Sequence, residues 1–405
     1  MILRQRSLVA LLVAETISTT GMQMTWLALP WFVLTTTGSA GRMVLVLLAE
    51  SVGLTAFGLP SGSLLLRVGS RRLMMLSDGI RGPLTLSIPI LHWEGLLSFP
   101  LLLVLVFFLG AFGAGYFGAQ RSVVPEVLGE DERLVGKANA YLQGATRVTL
   151  LLGPATAGVL IGLLGSASVI VIDAATYAVS FALVGLFIRS VAPPALEERG
   201  GFLDGLRWVV RDRLYRAWTV AFLAGDAAWT AFFAAVPVLV VADFGADPKT
   251  AGWIFASFGV GAVLGNVVSF RLQDRYDGLF LVGVLVYGQA FPVWALAFHP
   301  SATVVEAAIF CSGLFNGLVN PSIHAIMTLR PPAAIRPRVL TAMGTVLMLS
   351  GPLGIAGGGP VLSTAGPHPV LVGFAAVQTL AMTAVSVVSL RVRAAHAEPA
   401  LQRAA

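Results

Sequence analysis

Leu347-Met348-Leu349-Ser350-Gly351-Pro352-Leu353-Gly354-Ile355-Ala356-Gly357-Gly358 has a counterpart about 200 residues upstream, Leu150-Leu151-Leu152-Gly153-Pro154-Ala155-Thr156-Ala157-Gly158. Both follow a short basic segment. Each leads through a glycine-containing turn into another apolar run that ends in arginine, Arg189 and Arg391. At a shift of about 200, Gly144 falls on Gly344, Ser122 on Ser322 and Gly113 on Gly313. At about 207, Pro30 falls on Pro237 and Trp26 on Phe233. A repeat of that size marks a duplicated unit and decides the architecture.

The medium of the unit follows from composition. Hydrophobic residues make up 57% of the chain and charged ones 11%, with a mean hydropathy of +0.85. A soluble domain carries roughly 25% charge, so this chain is expected in a bilayer. Its basic residues stand in short clusters between apolar runs, where positive charge sets membrane orientation, and not in a nucleic-acid-binding patch. The lone Cys311 permits no intrachain disulfide. Arg4 and Arg6 followed by Leu8 to Ala14 imitate a signal peptide, but apolar character continues through Phe32, so a retained first helix is expected.

A span needs roughly 20 apolar residues, and twelve such runs are present. The first six are Leu8–Thr35, Met43–Leu66, Leu73–Leu91, Phe99–Phe117, Ala138–Leu164 and Ala167–Ile188. The second six are Ala217–Ala242, Ala251–Phe270, Leu279–Phe298, Val304–Leu329, Val339–Leu362 and Val370–Leu390. The expected fold is all-α and membrane-integral: a bundle of six helices over 1–190, a linker over 191–216, a second bundle over 217–392 and a tail over 393–405. Arg67, Arg71, Arg72, Arg133, Lys137, Arg271, Arg275, Arg330, Arg336 and Arg338 join the linker and tail on one side, against Arg42 and Lys249 on the other. That asymmetry puts both termini in the cytosol. In the linker, Phe202, Leu203, Leu206, Val209, Val210 and Leu214 interleave with Asp204, Arg207, Arg211 and Arg213. Such spacing fits an amphipathic helix on the inner membrane face, or else a plain tether.

Between spans two and three, Gly62, Arg67, Gly69, Arg71 and Arg72 form a glycine-and-arginine loop. It resembles the loop signature of the major facilitator superfamily, departing from it at Leu66, where the family usually has aspartate, and at Ser70. The second-half loop retains an Asp-Arg pair, Asp274-Arg275. Thr37-Gly38-Ser39-Ala40, Ser77-Asp78-Gly79-Ile80-Arg81 and Ala138-Asn139-Ala140 ahead of Gly153-Pro154 are similar to the branch containing macrolide-efflux proteins and the enterobactin exporter. The resemblance spans the full length. It implies two pseudo-symmetric bundles that expose one cavity alternately to each side, and it implies export. Two repeats rocking around a midplane site give such exposure its physical basis, and this superfamily is itself a known instance. Gly153, Pro154 and Gly158, with Gly351 and Pro352, partly match the antiporter signature of drug–proton exchangers. Without side chains between them, helices at such positions can approach and slide; static packing would use the same residues.

Ionisable groups in lipid cost roughly 2.5–3.5 kcal/mol at a helix centre, so each needs a reason. Span one carries Glu15, Thr19, Gln23, Trp26 and Pro30 on one face; span seven carries Asp226, Trp229, Thr230, Phe233 and Pro237 at the same spacing. With Pro30 laid on Pro237, Thr19 lands on Asp226 and Gln23 on Thr230. Tyr116 and Gln120 in span four answer Asn316 and Asn320 in span ten. The resemblance makes these four spans the lining of a central cavity, and an aromatic and amide lining suits an amphipathic solute. Interhelical hydrogen bonding is the other use of such residues.

Asp226 lies roughly 15 Å into its helix at 1.5 Å per residue, near mid-membrane. It is the first candidate for proton coupling, followed by Glu15 and Glu50. Asp78 and Arg81, three apart, are expected to form a local ion pair, and Arg147 needs water or an acidic partner, for which Asp173 is one candidate. No metalloprotease or P-loop motif is present, so no enzyme and no cofactor are expected. The expected function is proton-coupled export of a drug, macrolide-like compound or siderophore by a monomer, with proton symport, facilitated uptake and, further off, lipid scrambling as the alternatives.

Overall fold

The computed structural model describes residues 6–128, 132–188, 202–333 and 335–404. Most of the linker's first half, and the side chain of Arg147, lie outside the described residues. Among the described residues the chain is helical throughout, without strands. That is the expected answer to hydrocarbon, where every backbone polar group must be satisfied within its own segment.

The helices are α1 (Arg6–Thr37), α2 (Ala40–Val68), α3 (Ser70–Trp93), α4 (Phe99–Leu128), α5 (Glu132–Leu164), α6 (Ser166–Phe187), α7 (Phe202–Arg211), α8 (Arg213–Asp243), α9 (Pro248–Gln273), α10 (Gly278–Leu285), α11 (Ala302–Leu329), α12 (Arg336–Leu347), α13 (Ser350–Ala365) and α14 (Pro367–Ala404). Nine stretches among the described residues are long and apolar enough to cross a membrane. The more polar α1, α3 and α5, with 32, 24 and 33 residues, also exceed the roughly 20 that a crossing needs. With α10 and its extension as one crossing and α12–α13 as another, the chain has the twelve crossings read from the sequence.

Two compact units emerge. The first comprises Met1–Glu197 with Val240–Ala256, the second Glu198–Leu239 with Ser257–Ala405. In the first unit α2 lies along α4, α1 along α5 and α6, and α3 between α4 and α6. Its core gathers Leu8, Leu11, Leu73, Met74, Val123 and Val184. The hairpin Val240–Ala256 belongs here because α9 meets α5 without side chains between them: a Cβ on Gly158 would stand 3.0 Å from Gly252 Cα and 2.7 Å from the Pro248 carbonyl. In the second unit α14 packs on α10 and α13, around Trp218, Val282, Val319, Met382 and Val385.

The duplication shows in backbone contacts. A Cβ on Gly53 of α2 would fall 2.1 Å from the Phe107 carbonyl of α4, and one on Gly110 2.0 Å from the Glu50 carbonyl. In the second unit a Cβ on Gly261 of α9 would fall 2.2 Å from the Phe310 carbonyl of α11, and one on Gly313 2.2 Å from the Phe258 carbonyl. Gly53 thus corresponds to Gly261, and Gly110 to Gly313; the alignment of Gly113 on Gly313 read from the sequence is three residues out of register, because the helix crossing and not the shared letter fixes the pairing. Small residues at such crossings let backbones touch where lipid offers no hydrophobic drive for association.

Three stretches depart from the even picture of apolar rods. The ninth crossing begins as α10 but continues as 3₁₀ turns over Val286–Gln289 and Pro292–Phe298. Pro292 lacks the N–H that an α-helix would need there. Gly288 has no room for a side chain against the Phe315 ring. The eleventh crossing is interrupted between α12 and α13 at Met348-Leu349, just ahead of Gly351-Pro352. Its counterpart α5 runs unbroken through Gly153-Pro154, so the Gly-Pro element interrupts the helix in one copy only. Finally, α7 is amphipathic as expected, but its apolar side is covered by protein. Val209 packs with Tyr215, Val339 and Met343, and Gly205 lies against the Arg338 carbonyl of α12. The outward side of α7 keeps Leu203 and Val210, 60% and 52% exposed, with Arg207 and Arg211.

Candidate functional site

In the second unit the residues of the seventh crossing form a ring cluster. Trp229 of α8 stacks on Phe233 at 5.4 Å between centroids and meets Phe258 of α9 and Phe374 of α14, each at 4.8 Å. Phe232 stacks on Phe374 at 4.9 Å. Arrangements of this kind add roughly 0.5–1.5 kcal/mol per pair beyond buried area and present flat faces to an aromatic or apolar solute. One turn before Trp229, Asp226 is exposed, and Thr230 turns its hydroxyl back to the Asp226 carbonyl at 2.9 Å.

An amide ladder completes this unit's polar groups. Asn320 donates to Asn316 at 3.2 Å, Asn316 donates to Gln289 Oε1 at 3.1 Å, and Ser312 donates to the Gln289 carbonyl at 2.8 Å. The 3₁₀ turn at Val286–Gln289 frees the carbonyl that Ser312 uses. Asn316 and Asn320 therefore serve at least partly to hold α11 to the ninth crossing.

In the first unit Glu15 of α1 is buried and accepts a hydrogen bond from Gln120 Nε2 of α4, which ties two candidates from different helices into one contact. Thr19 is buried, Gln23 half-buried with its Cβ against Gly153, and Trp26 48% exposed. Tyr116 is buried, its hydroxyl facing Ser18 and Ser180. Thr19 and Asp226, equivalent in the repeat, thus differ: one is enclosed and the other open.

Glu50 of α2 is half-buried, and Asp78 and Arg81 of α3 are buried. The expected ion pair between Asp78 and Arg81 does not close. Arg81 instead donates to the Tyr177 hydroxyl of α6 at 2.6 Å and lies over its ring at 4.3 Å. The spacing would permit the pair, but the hydroxyl and ring face of Tyr177 on α6 capture the guanidinium instead. Asp173 faces Thr25, Arg81, Thr176 and Tyr177.

Of the glycine-and-arginine loop residues, Gly69 and Arg71 make contacts. Gly69 has φ 79° and joins α2 to α3, its N–H closing on the Leu65 carbonyl. Arg71 donates to the Gly185 carbonyl at 2.7 Å, while Arg67 and Arg72 are exposed. Gly62 has nothing within 4 Å of where a Cβ would stand. In the corresponding second-half loop Asp277, not Asp274, holds the turn, capping α10 through the Phe280 N–H at 3.1 Å. Beside that loop a cavity of about 460 Å³ is lined by Gln273, Tyr276, Ser322 and Arg330.

A family model described as "Transmembrane secretion effector" matches residues 2–404. The chain belongs to this family of major facilitator superfamily transporters. The transporter is 26% identical to the multidrug efflux pump Tap of Mycobacterium tuberculosis, over 90% of this chain and 89% of that one. It is 25% identical to an uncharacterised MFS-type transporter, YvqJ, of Bacillus subtilis, over 74% and 75%. Among solved structures, a bacterial homologue of the human lysosomal transporter Spinster superposes with a TM-score of 0.73 at 14% identity, covering 96% of this chain and 97% of that one. The nucleoside transporter NupG superposes with 0.72 at 12% identity, covering 94% and 99%. At those identities the structures speak for the fold.

Several residues of the transporter's ring cluster and polar groups were not singled out from the sequence. Phe258 and Phe374 sit in uniformly apolar runs where one phenylalanine looks like another. Gln289 did carry a signal, an amide between Gly288 and Pro292 in an otherwise apolar crossing. Tyr177 carried one too, four residues from the buried Asp173.

Proposed function

We propose that this transporter exports a small amphipathic organic compound, a drug, macrolide-like molecule or siderophore, across the cell membrane by proton-coupled alternating access. The observation that carries the reading is similarity along nine-tenths of the chain to pumps named for multidrug efflux. The aromatic group of Trp229, Phe233, Phe258 and Phe374 supports it, because ring faces bind apolar cations and polycyclic solutes without demanding one shape. Both termini lie in the cytosol in this reading, which the arginine-rich side of the sequence supports.

Asp226 is the coupling acid in this reading. It stands beside the ring cluster near the middle of α8, and a carboxyl there can take a proton from one aqueous side and give it to the other. Glu15, held by Gln120, is the second acidic group near the solute path, with Gln23, Trp26, Thr230 and Asn320 as polar contacts. The test uses proteoliposomes with an imposed pH gradient and a fluorescent lipophilic cation as probe. Asp226→Asn should insert normally and lose gradient-driven movement of the probe. Movement at the wild-type rate in that variant removes Asp226 from the mechanism; movement in the wild type that ignores the gradient removes proton coupling.

A further inference from the structure

The buried side of α3 is polar where the centre of a membrane bundle should be apolar. Ser77, Asp78, Arg81 and Thr85 all lie on its enclosed face, among Leu73, Met74 and Ile88. Asp78 is 1% exposed, Arg81 4% and Asp173 of the adjacent α6 0%. Neither oxygen of Asp78, and only one of Asp173, meets a donor in full hydrogen-bond geometry among the described residues. For Asp173 that donor is Thr176, at 3.2 Å. Polar atoms so enclosed are normally satisfied, and each exception calls for a reason.

Every element packed on α3 contributes to the group. From α2, Glu50 feels the charges of both Arg81 and Asp173. From α4 comes Tyr116, and from α6 come Asp173, Tyr177 and Ser180, the last facing Asp78. From α1, Thr25 faces Asp173, and Glu15 acts on Tyr116. On α5, which packs on α1 and α6, the side chain of Arg147 lies outside the described residues. The described centre therefore holds three carboxyls, Glu50, Asp78 and Asp173, and one guanidinium.

The guanidinium is also not spent on any single carboxylate. Its hydrogen bond goes to a phenol and its face to a ring. Were all three carboxyls ionised, the centre would carry a surplus of two negative charges in a medium that penalises even one unpaired ion. Protons remove the surplus. A protonated carboxyl also becomes a donor, which the unmatched carboxylate oxygens and the hydroxyls of Ser77 and Ser180 can accept.

We propose that Glu50, Asp78 and Asp173 form a proton-binding centre around Arg81, in which the guanidinium balances one carboxylate and the other two carboxyls hold protons. The centre belongs to α2, α3 and α6, whereas Asp226 and the solute-facing stripes belong to α1 and α8. Its use in transport rests on the proton-coupled reading above; its existence does not. Loading and unloading it would change the charge locked between α3 and its neighbours, and with it the relative stability of two packings of the first unit.

The test reads protonation directly, as the infrared C=O stretch of protonated carboxyls in the full chain reconstituted in lipid nanodiscs at neutral pH. Glu50→Gln, Asp78→Asn and Asp173→Asn should together account for the loss of two carboxyls' worth of band, which Asp226→Asn leaves in place. Arg81→Gln should add to the band, since the remaining carboxylate loses its counter-charge. Conservative changes guard against misfolding: Asp78→Glu, Asp173→Glu and Glu50→Asp keep a carboxyl in place and should shift the band without removing it. A band untouched by all of these variants means three ionised carboxylates and overturns the proposal. If the band behaves as expected while wild-type export ignores the pH gradient, the energy source proposed above falls and the proton centre stands.

Discussion

Two alanine substitutions on one helix should move stability in opposite directions. At Gly53 of α2, an added Cβ would stand 2.1 Å from the Phe107 carbonyl oxygen, 3.0 Å from its carbon and 3.2 Å from the Ala111 nitrogen. All three are backbone atoms of α4, so no side chain can swing aside. Ordinary contact begins near 3.4 Å, and α2 must therefore part from α4 by more than an ångström. A gap of that order forfeits about a quarter to a half of the dispersion energy along the crossing, and overpacking of this kind costs roughly 1–3 kcal/mol. Alanine recovers about 1 kcal/mol of helix propensity, leaving Gly53→Ala destabilised by up to roughly 2 kcal/mol. At Gly62, nine residues on, a Cβ meets nothing within 4 Å; only the propensity gain remains, about 0.4–1 kcal/mol. Reversible unfolding in mixed micelles, followed by tryptophan fluorescence, compares the two. Gly261→Ala, 2.2 Å from the Phe310 carbonyl, should repeat the loss in the second unit. If Gly53→Ala unfolds no more easily than Gly62→Ala, the backbone contact between α2 and α4 is not what packs them.

Asp226→Asn and the infrared series on the Arg81 centre address coupling, as set out above. Asp212 and Arg330 form a twofold contact, 3.0–3.1 Å from Nε and 2.9 Å from Nη2, with side chains 18% and 26% exposed. A double-mutant cycle of Asp212→Asn with Arg330→Gln should give about 1–3 kcal/mol of coupling, and zero coupling would mean that solvent screens the pair. At φ 79° and ψ 160°, Gly69 occupies a backbone region that a side chain resists by about 1–3 kcal/mol. Gly69→Ala should therefore lower stability by that amount while Arg72→Ala, on an exposed residue, leaves it unchanged; equal thermal unfolding of the two variants contradicts the turn assignment.

The crossings were legible because lipid imposes one rule on the entire length: enough consecutive apolar residues, with arginine clusters between them. Internal repetition was legible for a similar reason, since the Gly-Pro pairs survive as letters; its register was not, because the backbone contacts pair Gly313 with Gly110 and not with Gly113. Side-chain partnerships were not, because they depend on how each helix is rotated. Asp78 and Arg81 are three apart and suggested a pair, yet Arg81 turned to Tyr177, a residue 96 positions away. Sequence spacing left open where Asp173 points, and Gly21 on α1 settles it: only a residue without a Cβ leaves room for the Asp173 carboxylate and Thr176 there. The linker helix was legible as amphipathic, but its cover was not, because Gly205 against the Arg338 carbonyl is a contact over more than a hundred residues.

What the duplication preserves is the backbone contact, and what it releases is the side chain. Gly110 lies on the Glu50 carbonyl in the first unit, and Gly313 lies on the Phe258 carbonyl in the second. The register of the two crossings is the same, enforced in each by the absence of a Cβ. From that shared position Glu50 faces the Arg81 centre, whereas Phe258 meets Trp229 at 4.8 Å. The side chain at this point plays no part in the glycine-to-carbonyl contact that fixes the crossing. A carboxyl in one copy and a phenyl ring in the other are therefore equally compatible with the fold. Selection for packing thus left this site free, which is why charge could collect behind α2 and aromatic surface behind α9 without either copy giving up its helix crossing.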